Sequence, residues 1–322
     1  MIVKEAAESI KIKKLRLLHK RFSPDHPAEK EIEGELMRSI AGYKGEKSLD
    51  FHLDLLPKEE THIFHDLRLP FGSSHFQIDI LILTPSFFLI IEVKHISGTL
   101  LFDQEFHQLI RTYKDIEEVF PDPISQLYRQ THLFKEWLAL HKFTTIPIES
   151  LVIISNPNSK IMSIPKNMNI SNSVTHSTNL LARFHTYQKH HKKDIITKKD
   201  IKKLTRLLLK HHNQTDQDLF KKFNISADDL IKGVACPKCC KIPMIRARRK
   251  WFCLDCGHYC NQAHTETLKE YALLISPKIP IHECCDFLQI PSRHTVKHLL
   301  DSLKLPSKIA GKHKTYLLDE LV

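Results

Sequence analysis

The first 235 residues contain no cysteine; all eight lie between positions 236 and 285. That distribution excludes a disulfide framework spread through a secreted fold and points to local chemistry instead. No apolar stretch approaches the roughly 20 residues that a membrane span needs, and the longest runs are only strand-length. The opening segment, "MIVKEAAESIKIKKLRLLHKRF", has scattered charges and no apolar centre, so it does not read as a secretory signal. Internal repeats and low-complexity tracts are also lacking. These absences predict a cytoplasmic protein with no membrane partner.

What is present is a basic chain. Its 322 residues carry a formal charge of +11, with 22 histidines besides. The length allows two or three domains, and a positive balance favours polyanions such as nucleic acid. A basic helix is expected over 7–21. Ile32, Leu36 and Ile40 recur at helical spacing after Pro27, and the glycines at 42 and 45 are expected to break that helix before another carrying Leu49, Leu53 and Leu56. Strands are expected at 62–68, 76–83, 87–94 and about 99–111, then an amphipathic helix over 123–140 and a buried strand over 149–155. Helix, strands, helix, strand is an α/β pattern with a mixed sheet. Residues 174–212 read as helical and basic, followed by a polar linker over 213–224.

The segment "FFLIIEVK" (87–94) places Glu92 and Lys94 at the end of an apolar run. Alternation puts both on one face of a strand, and Asp79 shares a face with Leu81 and Leu83 in the strand before it. If the two strands pair, Asp79 approaches Glu92 and Lys94. Two carboxylates offer hard oxygen ligands to Mg²⁺ or Mn²⁺, and an ammonium can orient water or offset phosphate charge. This set suits hydrolysis of a phosphodiester. His95 should face away from it by strand parity. "GYKGEKS" (42–48) ends like a phosphate-binding loop but lacks the glycine before its lysine and follows a helix, so no nucleotide cofactor is expected.

Asp79 followed by Glu92-Val93-Lys94 resembles the core of the PD-(D/E)XK nuclease superfamily. More narrowly, residues about 29–145 resemble the nuclease-related domain (NERD) family, through "GYKGE" (42–46), "QIDILIL" (77–83), "FFLIIEVKHISG" (87–98) and "DPISQLYRQ" (122–130). Ile78 stands where the superfamily name has proline, and Asp122 where the family often has asparagine. The resemblance implies a restriction-endonuclease-like mixed sheet flanked by helices. It also implies that Asp79 and Glu92 hold the metal, that Lys94 acts on the water, and that Glu46 and Gln126 join the catalytic set from helices.

"CPKC" (236–239) and "CLDC" (253–256) are two C-x-x-C pairs, a spacing that predicts a zinc ribbon with Cys236, Cys239, Cys253 and Cys256 as ligands to a structural Zn²⁺. Cys240 and Cys260 are left as spare thiols. Between the pairs, Arg246, Arg248, Arg249 and Lys250 beside Trp251 suggest a hairpin suited to nucleic acid. Further on, "QIPS" joins two short apolar helices, with Ser292 placed to cap the second. The arrangement resembles a helix-turn-helix with a wing, which puts Arg293, Thr295 and Lys297 at the start of a recognition helix. The expected organisation is a basic helix (1–28), an α/β nuclease-related domain (29–185), a basic helical linker (186–232), a zinc ribbon (233–262) and a winged-helix-like α domain (263–322). The expected function is cleavage of DNA. The alternatives are a non-catalytic DNA-binding protein on the same scaffold, or a nuclease acting on RNA.

Overall fold

The structure is a computed structural model that describes residues 1–143, 145–165, 170–214, 216–247, 249–310 and 313–321. It is a mixed α/β protein with two compact units, Met1–Ser9 with Arg38–Thr215, and Ile10–Met37 with Asp216–Val322. Among the described residues, no helix is long and apolar enough to cross a membrane.

The chain opens with β1 (Ile2–Lys4), α1 (Ile10–Arg21) and α2 (Glu29–Lys47), followed by the short α3 (Asp50–Leu53). In unit 1, β2 (His62–Phe71), β3 (Ser74–Leu83) and β4 (Phe88–Lys94) form an antiparallel meander. The chain continues through β5 (Thr99–Asp103), β6 (Gln108–Tyr113), β7 (Ile116–Pro121), α4 (Pro123–Leu140), β8 (Ile148–Ile154), β9 (Lys160–Ile164) and β10 (Val174–His176). Helices α5 (Leu180–His190) and α6 (Lys198–His211) complete the unit. The main sheet has the order β1-β2-β3-β4-β8-β10, and a second sheet has the order β7-β6-β5-β9.

Alternation in the central strands supplies two cores. Leu81, Leu83, Phe88, Ile90, Val152 and Ile154 face α4 and α6, whereas Ile80, Ile82, Leu89, Ile91, Leu151 and Ile153 face α3 and α5. A strand with apolar residues on both faces belongs between two layers, which is why "FLII" contains no polar residue. Helix α4 starts where Asp122 caps it, accepting from the Ile124 and Ser125 amides, with Pro123 in the first turn. Leu127, Phe134, Trp137 and Leu138 form its buried stripe.

Three local expectations change. Helix α2 does not break at its glycines; it runs through both, to Lys47. Gly45 is needed for contact: a Cβ there would lie 2.4 Å from the His95 Cβ, while one at Gly42 would meet nothing within 4 Å. Gly45→Ala should therefore lower stability by about 1–3 kcal/mol through overpacking and displace the following Glu46. Gly42→Ala should instead raise stability by about 0.5–1 kcal/mol, because alanine favours helix. Thermal unfolding of the two variants checks the contrast. The single strand expected at 99–111 is two strands, β5 and β6, and β5 also pairs in parallel with β9. Finally, the basic segment 198–211 packs into unit 1: it buries Ile201, Leu204 and Leu208, and Thr197 with Asp200 forms its capping box.

Unit 2 contains α1 and α7 (Leu219–Phe223), then three short antiparallel strands, β11 (Ile245–Ala247), β12 (Lys250–Phe252) and β13 (Tyr259–Cys260). Helix α8 (Ala263–Leu274), β14 (Lys278–Pro280), α9 (Ile281–Leu288), α10 (Arg293–Ser302), β15 (Ser307–Ala310) and β16 (His313–Leu317) follow. The last three strands pair in the order β14-β16-β15. Cys236, Met244, Trp251 and Cys253 share one core with Phe287, Leu288, Val296 and Leu299, so the cysteine-bearing hairpin and the terminal helices pack as one body. Helix α1 joins it through Arg21, which is fully buried, donates from Nε to Glu270 at 2.7 Å and stacks on Phe287. A buried guanidinium is tolerable only with such a partner.

Candidate active site

The acidic residues meet where the main sheet opens. Pairing of β3 with β4 runs from Leu83↔Phe88 to Ile80↔Ile91 and stops there. Beyond that point the Val93 amide donates to Asp79 Oδ2 at 2.8 Å, so a side chain replaces the missing strand carbonyl. The β2–β3 ladder keeps its register but skips the Asp66/Asp79 position. Asp66 has φ 48°, a left-handed conformation, and its carbonyl accepts from Lys4 Nζ at 3.0 Å. Backbone pairing thus yields locally to polar side chains, and the result is an open cleft of about 470 Å³.

Glu46, Asp79, Glu92, Lys94 and Gln126 all line that cleft. Glu92 is buried and has both oxygens engaged: Oε1 accepts from Lys94 Nζ at 2.6 Å, and Oε2 from Gln130 Nε2 at 2.7 Å. Lys94 also donates to Gln126 Oε1 at 3.1 Å. Its ammonium is therefore held by one residue on its own strand and one on α4. Gln130 is the member that the sequence reading missed. It lies four residues after Gln126, hence on the same helical face, and that spacing was the available signal. His95 is outside the cleft lining; its Nδ1 is 3.0 Å from Ser155 Oγ, beside Gly45.

Burial first, and then the neighbouring Asp79, Asp66 and Glu92 charges, raise the Glu46 pKa to about 9. Burial and the Glu92 charge raise that of Asp79 to about 7, against the opposing Val93 hydrogen bond and the charge of Lys94. Among the described residues, no hydrogen bond reaches Asp79 Oδ1 or the Glu46 carboxyl. Crowded, under-neutralised carboxyl oxygens in a polar cleft are a donor set that fits a hard divalent cation. Glu46, Asp79 and Glu92 do not, however, bring three ligand oxygens within 4.8 Å of one another. Among the described residues, the four cysteines are the set whose ligand atoms all lie within 4.8 Å of one another.

These shifts carry a sign. Both groups bind protons more tightly when folded, so their ionisation opposes folding. Without a divalent cation in the cleft, stability should fall as pH rises from the ordinary carboxylate range through about 7 and then about 9. Mg²⁺ should offset this, raising the melting temperature more at pH 8.5 than at pH 6, and Glu46→Gln should flatten the dependence. Thermal unfolding across pH, with and without Mg²⁺, measures it; a Mg²⁺ effect independent of pH would contradict the assignment.

In unit 2 the four cysteines lie on two matching knuckles. The Cys240 amide donates to the Cys236 carbonyl at 2.9 Å, and the Gly257 amide to that of Cys253 at 3.0 Å. Cys240 (φ 61°) and Gly257 (φ 68°) hold the same left-handed position, so Cys240 is a turn residue despite its thiol. Sγ separations are 3.7 Å for Cys236–Cys256 and 3.5 Å for Cys239–Cys253. These are too long for a disulfide, at about 2.05 Å, and close to the roughly 3.8 Å edge of a tetrahedron with metal–sulfur bonds of about 2.3 Å. The cluster fits a small zinc ribbon.

The residues expected to contact nucleic acid are distributed along unit 2. Arg249 and Lys250 are exposed and Arg246 half-buried on the hairpin; Arg293 and Lys297 are exposed and Thr295 half-buried on α10. Arg248 lies outside the described residues. Arg246, Arg249 and Thr295 line one groove. Ser292 caps α10 as expected, accepting from the Thr295 amide at 3.2 Å.

No curated protein and no solved structure gives a significant match to the chain. The family model for the nuclease-related domain matches residues 41–155. That span contains Glu46, Asp79, Glu92, Lys94, Gln126 and Gln130, together with β3, β4, α4 and the C-terminal end of α2. The order of motifs in the sequence, the mixed sheet and the family match agree: the chain carries a nuclease-related domain, NERD, over residues 41–155.

Proposed function

We propose that the chain is a Mg²⁺- or Mn²⁺-dependent nuclease that hydrolyses DNA phosphodiester bonds, with unit 2 binding the DNA. The observation that carries this reading is the closed network Gln130–Glu92–Lys94–Gln126 beside Asp79, at the point where the sheet opens. An ion pair serving only the fold would not need a cleft with a third, strongly perturbed carboxyl in its wall.

Asp79 and Glu92 would hold the cation, which when bound would neutralise the carboxylates and act as a Lewis acid at the scissile phosphate. The protein's own contribution is positional. Gln130 fixes the Glu92 carboxylate. Glu92 and Gln126 together aim the Lys94 ammonium, which orients the attacking water and offsets charge gathering on the phosphate oxygens. Glu46 is a group able to retain a proton at the cleft wall near neutral pH. In unit 2, α9 and α10 with the β15–β16 hairpin would act as a helix-turn-helix with a wing. The cysteine ribbon, loaded with zinc, would hold the basic hairpin beside it.

A cleavage panel on single-stranded, duplex, nicked and branched DNA with an RNA control, over a range of Mg²⁺ and Mn²⁺, tests the reading. Metal-dependent cutting of at least one DNA substrate is expected. Exclusive cutting of RNA would transfer the same site to another polymer, and no cutting of any substrate would sink the proposal.

A further inference from the structure

The groove between the β11–β12 hairpin and α10 has a volume of about 990 Å³. Arg246, Arg249, His264, His294 and His298 line it, and none of its described lining residues is Asp or Glu. Such a one-sided lining favours an anion.

Two donors in its wall have no partner among the described residues. His264, at the start of α8, is only 3% exposed. Its Nδ1 accepts from Trp251 Nε1 at 3.2 Å. Indole nitrogen can only donate, so the histidine hydrogen sits on Nε2. That buried Nε2, and the buried Arg246 Nη1, make no hydrogen bond among the described residues. Burial and the Arg246 charge hold His264 well below its ordinary pKa, at about 4, so it is a neutral N–H donor at physiological pH. The Arg246 guanidinium carbon lies over the Trp251 ring, 5.0 Å from its centroid. The first turn of α8 also begins here. Gln262 places no side-chain acceptor on its amides, and a helix start of this kind favours negative charge. The one acid of that turn, Glu266, pairs with Lys269 and is not in the groove lining.

We propose that this groove is a backbone-binding channel for nucleic acid in which Arg246 Nη1 and His264 Nε2 receive one phosphate at the start of α8. Buried donors without acceptors are costly to maintain, and a phosphate oxygen satisfies both. The volume exceeds what a single phosphate needs, and Arg249, His294 and His298 extend the same lining, as a chain of phosphates requires. The hairpin and α10 then act on one ligand as a single surface. This inference rests on the reading of unit 2 as nucleic-acid-binding and adds His264 and the joint groove to it.

The test uses the full chain with zinc present and Mg²⁺ omitted, so that no cutting occurs. Anisotropy of a short fluorescein-labelled DNA duplex is titrated at several NaCl concentrations. Arg246→Gln is expected to bind about tenfold more weakly, with the slope of log affinity against log salt reduced by about one. His264→Leu should show a similar loss, with zinc content and thermal unfolding checking its fold. If that variant does not fold, Arg249→Gln, on the exposed part of the hairpin, should still weaken binding and lower the slope. Wild-type binding combined with unchanged affinity and slope in Arg246→Gln and Arg249→Gln would overturn the groove while leaving the broader reading intact. Failure of the wild type to bind the duplex even at low salt would remove the broader reading and the groove with it.

Discussion

Asp79→Ala, Glu92→Ala and Lys94→Ala should each reduce DNA cleavage by on the order of 10³-fold or more and leave DNA affinity unchanged. Each residue has a distinct geometric reason. Asp79 is the acid beside the open ladder and the acceptor for the Val93 amide, so alanine removes both a carboxylate and the clasp on β4. Glu92 is buried between Lys94 and Gln130, and its loss leaves an uncompensated ammonium. Lys94→Ala removes the charged donor but leaves Glu92 with its Gln130 bond. Asp79→Asn keeps an acceptor for Val93 and separates loss of charge from loss of the clasp. Gln126→Ala should be milder, about tenfold to a hundredfold, since Gln126 acts through Lys94. Steady-state cleavage and equilibrium binding measured on the same preparations check the series. Wild-type rates in Asp79→Asn and Glu92→Ala would contradict the assignment.

The second large effect concerns the cysteines. Cys253→Ser should lose the one tightly held zinc and destabilise the whole of unit 2, not the hairpin alone. The reason is packing: Cys253 and Cys236 are 1% exposed and belong to the same core as Phe287, Val296 and Leu299. In small modules a structural zinc contributes on the order of 10 kcal/mol at neutral pH, far more than a small core can replace. DNA affinity should fall at least tenfold, while unit 1, with its own two cores, stays folded. Cys240→Ser and Cys260→Ser should keep zinc, because neither thiol belongs to the four-sulfur cluster. Metal analysis together with thermal unfolding reads both outcomes. Stoichiometric zinc in Cys253→Ser would refute the ribbon.

Much of the site was legible because its elements obey strong local rules. The 87–94 run is apolar on both faces and ends in Glu92 and Lys94, so strand, burial and polarity change coincide in one segment. Helix α4 announces itself by the amphipathic stripe over 123–140, whereas the Asp122 cap that starts it is seen only in the structure. The C-x-x-C pairs need only short-range geometry to be recognised. The features that escaped depend on distant partners. Nothing near Thr99 signals that β5 will pair with Lys160–Ile164, some sixty positions away in sequence. Glycine propensity argued for a break at 42–45, but the approach to His95 and Ser155 decides the outcome at Gly45. Asp66 looked like an ordinary strand residue, and its left-handed backbone appears only once β3 lies opposite. His264 carried no motif at all, and its role depends on which way Trp251 presents its N–H.

The central claim is that the Asp79–Glu92 cleft of the nuclease-related domain binds a divalent cation for catalysis rather than surviving as a scaffold. Calorimetric titration of the zinc-loaded full chain with Mn²⁺ tests it most directly, with Asp79→Asn titrated in parallel. The wild type should show a class of Mn²⁺ site that is absent from Asp79→Asn. Wild-type protein that binds no Mn²⁺, or a variant that binds it equally well, would contradict it.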